Sequence, residues 1–192
     1  SGTTRTITGM SDSAREAASI FKALAEKGHP LAQCNMARCY LEGLGVPVDA
    51  KRAVLWLQKS ADAGCPEAMT SLGQCRERGR GLAKNPQIAA ALYADAAKLG
   101  DAQAQHGLGR LYWYGIGVDR DMKEALHFFR LAAKQGHTGA DSYARAIRHI
   151  GQRGMLPDFK SGVLERVDLS GLRLGEVPWG LGHRQQLWKL SL

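Results

Sequence analysis

The stretch GDAQAQHGLGRLYWYGIGVDRDMKEALHFFRLAAKQG, residues 100–136, decides the fold, because it is the clearest of several copies of one pattern. Gly28, Gly64, Gly100 and Gly136 stand 36 residues apart. Ala32, Ala68, Ala104 and Ala140 keep that interval, as do Gly43, Gly79, Gly115 and Gly151. Gly45, Gly81 and Gly117 follow in register, and Asp49, Asn85 and Asp121 precede Ala53, Ala89 and Ala125. So many series held in one register mark a repeat array. The array also explains why glycine, at 23 of 192 residues, exceeds its usual ~7%.

Each interval reads as two helices. After Gly28, small and apolar residues recur at helical spacing through Leu31, Cys34, Met36, Cys39 and Tyr40. Gly43 is a natural left-handed stop. The linker ends in Asp49, an N-cap for a second helix that carries Ala53, Trp56, Leu57 and Ala61 on one face. Copies are expected at 67–78 and 86–99, then 103–114 and 122–135. A lone second-type helix is expected near 13–27 and a lone first-type helix near 139–150. Ala37, Gly73, Gly109 and the Ala96-Ala97 and Ala132-Ala133 pairs allow helix axes to approach closely. One hairpin cannot bury its own apolar face, whereas stacked hairpins can.

The run Leu108-Gly109, Tyr112, Gly115, Gly117-Val118, Asp121, Ala125, Ala132-Ala133 and Gly136 resembles the Sel1-like repeat. The resemblance spans residues ~13–151 and implies an all-α, α/α superhelical solenoid of helix-turn-helix repeats, related to tetratricopeptide repeats. The second copy departs from the pattern: Arg76 replaces Tyr40 and Tyr112, and Leu82-Ala83-Lys84-Asn85 replaces the V-x-x-D linker, so an unusual local surface is expected there.

Residues 1–12 read as a flexible leader, 13–151 as the solenoid and 152–163 as a linker. In 164–192 a different period appears. Leu164, Val167 and Leu169 recur 23 residues later as Leu187, Leu190 and Leu192, which resembles a leucine-rich repeat. The expectation is a short strand-and-loop appendage, either a docked cap or part of a longer leucine-rich array.

Composition narrows the chemistry. With 44% apolar and 23% charged residues the chain is a globular protein, and no apolar run is long enough to span a bilayer. The net charge of +8 permits acidic protein partners or nucleic acid without choosing between them. The basic run Arg76, Arg78, Arg80 and Lys84 lacks the aromatic interleaving of a nucleic-acid stacking platform. Cys34, Cys39, Cys65 and Cys75 contain no C-x-x-C, and the six histidines contain no H-x-x-x-H or H-E-x-x-H, so neither metal nor cofactor is expected. Cys39 and Cys75 share one repeat position with Leu111 and Ile147, an apolar core series, and reduced thiols are expected. Some cysteine-rich relatives in the Sel1-like family carry a disulfide in each repeat and are discussed as penicillin binders. This chain lacks a pair in every repeat, and that activity is not transferred.

The resemblance implies that first-type helices line a concave groove. Registered on Leu72-Gly73 and Leu108-Gly109, the candidate groove residues are Arg38, Glu42, Thr70, Gln74, Glu77, Arg78, His106, Arg110, Trp113, Tyr114 and His149. Tyr112 is assigned to the core, and Trp113-Tyr114 is the strongest binding signal, since Trp, Tyr and Arg dominate binding hot spots. No nucleophile–base constellation is legible, so no catalytic residue is assigned. The expected function is a non-catalytic scaffold or adaptor that binds a peptide or protein, with Arg38, Arg78 and Arg110 facing acidic groups. The alternatives are an RNA-binding helical repeat and a structural module of a longer leucine-rich receptor or effector. A cytoplasmic location is expected, with secretion or a periplasmic location after signal removal left open.

Overall fold

The structure, a computed structural model, describes the backbone of residues 12–152 and the side chains of residues 12–146. Eight helices follow one another: α1 (Asp12–Glu26), α2 (Pro30–Glu42), α3 (Ala50–Asp62), α4 (Pro66–Arg78), α5 (Pro86–Lys98), α6 (Ala102–Tyr114), α7 (Met122–Lys134) and α8 (Thr138–Gln152). No strand occurs among the described residues. The all-α repeat expected from the 36-residue period is therefore present, with helix ends within two residues of the sequence reading. Of the 1–12 leader and the 152–163 linker, Asp12 and Gln152 belong to α1 and α8, and the rest of both, with the leucine-rich reading of 164–192, lies outside the described residues.

Local chemistry sets the helix ends. Asp49, Asn85 and Asp121 cap the second-type helices, accepting hydrogen bonds from the N–H groups of Arg52, of Ile88, and of Lys123 and Glu124. Gly43, Gly79 and Gly115 end the first-type helices in the left-handed region. The divergent second linker closes as its neighbours do. The Asn85 N–H donates to the Arg76 carbonyl at 2.8 Å, matching Asp49 to Tyr40 at 3.0 Å and Asp121 to Tyr112 at 3.1 Å. Arg76 adds a bond from Nη1 to the Ala83 carbonyl at 3.4 Å. The unusual residues keep the ordinary backbone geometry.

The molecule divides into two compact units after Leu99. In the first, α1 packs on α2, α2 on α3, α3 on α4 and α4 on α5; in the second, α6 packs on α7 and α7 on α8. Within a hairpin, one small residue meets one large one. A Cβ added to Gly73 would lie 2.8 Å from the Tyr93 ring, and one added to Gly109 would lie 3.0 Å from the Phe129 ring and 3.2 Å from the Ala125 carbonyl oxygen. The Leu57, Tyr93 and Phe129 side chains of this series are buried to within 2%. Each such burial stabilises by about 2–3 kcal/mol. Neighbouring positions change in concert. In the second repeat the Tyr93 hydroxyl donates to Glu77 Oε2 at 3.0 Å; in the third, the equivalent pair is Phe129 and Trp113, both in one apolar cluster. An unpaired phenol or carboxylate there would be costly, so the two positions exchange together.

Two glycines separate backbone strain from steric exclusion. Gly64 (φ +81°) has nothing within 4 Å of an added Cβ, whereas at Gly81 (φ +79°) a Cβ would sit 2.2 Å from the Ala50 carbonyl oxygen. Gly64→Ala is expected to cost about 1–2 kcal/mol from its left-handed backbone alone. Gly81→Ala is expected to cost a further ~1–3 kcal/mol, because backbone must move. Urea unfolding of the two variants checks this, and equal costs would show that the loop yields freely.

Candidate functional site

The repeat places three stripe positions four residues apart along each first-type helix. They are Cys34, Arg38 and Glu42 on α2; Thr70, Gln74 and Arg78 on α4; and His106, Arg110 and Tyr114 on α6. In the first unit Arg38, Glu42 and Arg78 are exposed and Gln74 is half-buried. Thr70 is only 3% exposed and belongs to the interior. Glu77 is half-buried and turned to Tyr93. The Cys34 thiol is pushed up to about 11, mainly by burial, with Cys65 and Glu67 adding and Arg38 opposing. It stays protonated near neutrality and is a poor nucleophile. Cys39 and Cys75 are buried, as the apolar series required. The Cys65 thiol donates to Glu67 Oε2 at 3.2 Å.

The basic run is partly consumed by structure. Arg76 holds the Ala83 carbonyl, and Arg80 Nη2 donates to the Leu41 carbonyl. Arg78 stays at the surface.

In the second unit the sequence reading is rearranged. Trp113 is 1% exposed and packs with Phe129, Ala132, Ala140 and Ala144, so it is a core residue rather than a surface anchor. Tyr112, assigned to the core, is only half-buried and stacks on Phe128 with centroids 5.9 Å apart. Both adjacent aromatics thus belong to one cluster, Trp113 within it and Tyr112 packed against it. The hub is Tyr143 on α8, which the sequence reading missed. Its ring stacks on Phe129 at 4.5 Å and meets His106 and Trp113 edge-on at 5.8 and 6.4 Å. Its hydroxyl lies 3.3 Å from that of Tyr114, and burial with this contact pushes it well above the ordinary phenol range. The available signal was contrast between copies, since Asn35, Ser71 and Gly107 fill the same repeat position.

His106 and His137 stack with centroids 4.3 Å apart. His137 Nδ1 accepts the Ala140 N–H at 3.2 Å, acting as an N-cap for α8. That leaves Nε2 to carry the proton and donate to Gln103 Oε1 at 3.0 Å. No group of three or more His, Cys, Asp or Glu side chains that could hold a metal occurs among the described residues. The groove candidates thus fall into two sets: Arg38, Glu42, Gln74 and Arg78 in the first unit, and His106, Arg110 and Tyr114 in the second. The side chain of His149 lies outside those described.

His106 provides a pH test. Burial, then His137 and Arg110, lower it from 6.5 to about 4. Between those values the folded state binds fewer protons than the unfolded state, so stability is full above about pH 6.5 and falls as pH drops through the window. His106 is partly exposed, and after discounting for solvent screening the loss from pH 7 to pH 5 is about 1 kcal/mol. Urea midpoints at the two pH values should show this loss, and His106→Gln should reduce it. An unchanged loss in His106→Gln would assign it to other groups.

The comparisons agree with this geometry. The family model for the Sel1 repeat matches residues 30–65, 66–101 and 102–137. A Sel1 repeat protein from Oxalobacter formigenes is 34% identical over 67% of this chain and 96% of its own, with a TM-score of 0.60. Cysteine rich protein B from Helicobacter pylori is similar in fold, at 21% identity over 66% of this chain and 93% of its own, with a TM-score of 0.56. No curated protein matches the chain. The three consecutive 36-residue matches, on helices that the caps and small-residue contacts define independently, show that this chain belongs to the Sel1 repeat family.

Proposed function

We propose that the chain is a non-catalytic protein-interaction module whose first-type helices bind a peptide or protein partner carrying acidic groups. The observation that supports this reading is a contrast between positions inside the repeat. One core series does not vary: Ala53, Ala89 and Ala125 are identical and fully buried. The stripe positions change from copy to copy, as Arg38, Gln74 and Arg110, or Glu42, Arg78 and Tyr114, and Arg38, Glu42 and Arg78 among them are exposed. A rigid scaffold that fixes varied polar and cationic side chains is what selective binding of an extended partner needs. Trp113 and Thr70 leave the candidate set because they are buried, and Tyr143 enters it beside Tyr114.

The same reading extends the repeat array beyond the three matched copies to α1 and α8, which have second-type and first-type character. No described helix is long and apolar enough to cross a membrane.

The test is an array of immobilised peptides of graded acidity probed with the full chain, with Arg38→Glu/Arg78→Glu and with Arg110→Glu. All three substitutions lie outside the apolar core, so folding should persist. Binding of acidic peptides is expected to weaken about ten-fold or more in a variant whose stripe is used, as for loss of a charge-assisted contact. Equal binding by all three proteins would remove the stripe. Capture abolished by nuclease, with a steep salt dependence, would favour nucleic acid instead.

A further inference from the structure

The second-type helices are not all covered alike. In α3, α5 and α7 the face turned to the first-type helix of the same hairpin is sealed: Ala53, Ala89 and Ala125, then Ser60, Ala96 and Ala132, are all at 0% exposure. Helix α1 has the same repeat position, and among the described residues no helix precedes it. Its equivalents of these residues are Ala17, which is exposed, and Leu24, at 38%. Between them lies Ile20, at 53%. Ala17, Ile20 and Leu24 recur at helical spacing and form one apolar stripe. Ala18 and Ala25, on the other side of α1, are buried.

The stripe is not shaped for an ordinary first-type helix. Such a helix comes close because Ser60, Ala96 and Ala132 are small, and Leu24 would hold it off. Nor does α8 fit. At the position of Ala37, Gly73 and Gly109 it carries Arg145, which is exposed and paired with Asp141 at 3.1 Å. A second α1 does fit. In an antiparallel pair centred between Ile20 and Phe21, Leu24 of each copy lies over Ala17 of the other, large against small. The same arrangement brings Lys27 of each copy to the Asp12–Glu16 end of the other, acidic against basic, while the two helix dipoles oppose. A parallel pair would set like charges side by side.

We infer that the chain self-associates through α1, two copies packing antiparallel about a two-fold axis near Ile20. The stripe is short, so the interface falls below the ~1,200 Å² of a tight complex and the dimer is weak, with a Kd on the order of 10–100 µM. This surface is separate from the stripe of the first-type helices, and the inference does not depend on the peptide reading.

The experiment is sedimentation equilibrium of the full chain, under reducing conditions, from about 5 to about 500 µM. The expected result is a monomer–dimer equilibrium in that range. Leu24→Glu should be monomeric throughout with an unchanged circular dichroism spectrum. Glu16→Lys alone and Lys27→Glu alone should each weaken the dimer about three-fold or more, and the double variant should recover it. A wild-type chain that stays monomeric at the highest concentration overturns the inference, as does a dimer that Leu24→Glu leaves intact. A dimer lost in Leu24→Glu but not recovered in the double charge reversal overturns the antiparallel arrangement.

Discussion

Close approach of two helices at one small residue is the constraint on which the rest of the fold depends. Where Gly73 meets Tyr93 and Gly109 meets Phe129, no room exists for even a methyl group without displacement. That contact fixes the separation within a hairpin, and the separation fixes which neighbouring side chains can reach each other. The Tyr93–Glu77 hydrogen bond and the Phe129–Trp113 apolar pair are two solutions to the same gap. The first satisfies its polar groups only as a pair, since either half alone would be a buried polar group without that partner, while in the second the buried Trp113 indole nitrogen makes no hydrogen bond among the described residues.

The same logic explains why the face that faces solvent is free to vary. Once small and aromatic residues hold the hairpin, exposed positions such as 38, 42 and 78 carry little of the packing energy. The Sel1 repeat therefore separates a fixed scaffold from an adjustable surface. In the second unit that separation is less complete, since Tyr143 reaches from the core ring of Phe129 to the hydroxyl of Tyr114. A ligand touching Tyr114 would act on a side chain coupled to the interior.

Much of the fold was legible because it rests on periodic, local chemistry. Asp49, Asn85 and Asp121 announced caps, and Gly43, Gly79 and Gly115 announced stops, since a short acceptor side chain and a left-handed backbone are needs of single residues. The candidate site was less legible. Which of Tyr112, Trp113 and Tyr114 faces inward depends on a rotation of about 100° per residue, and all three are aromatic, so hydropathy could not break the tie. Position 77 gave no help, because Glu77 hides its inward orientation behind a charge that Tyr93 satisfies. Tyr143 was missed because its role is set by partners on two other helices, and no spacing rule within one helix reveals that.

Arg145 has a consequence for how such an array can lengthen. At the position where Ala37, Gly73 and Gly109 admit an aromatic side chain, α8 presents an ion-paired guanidinium. A further second-type helix docking there in the usual way would have to bury that charge or displace it, so lengthening the array through this contact requires the codon for Arg145 to change first to one for alanine or glycine.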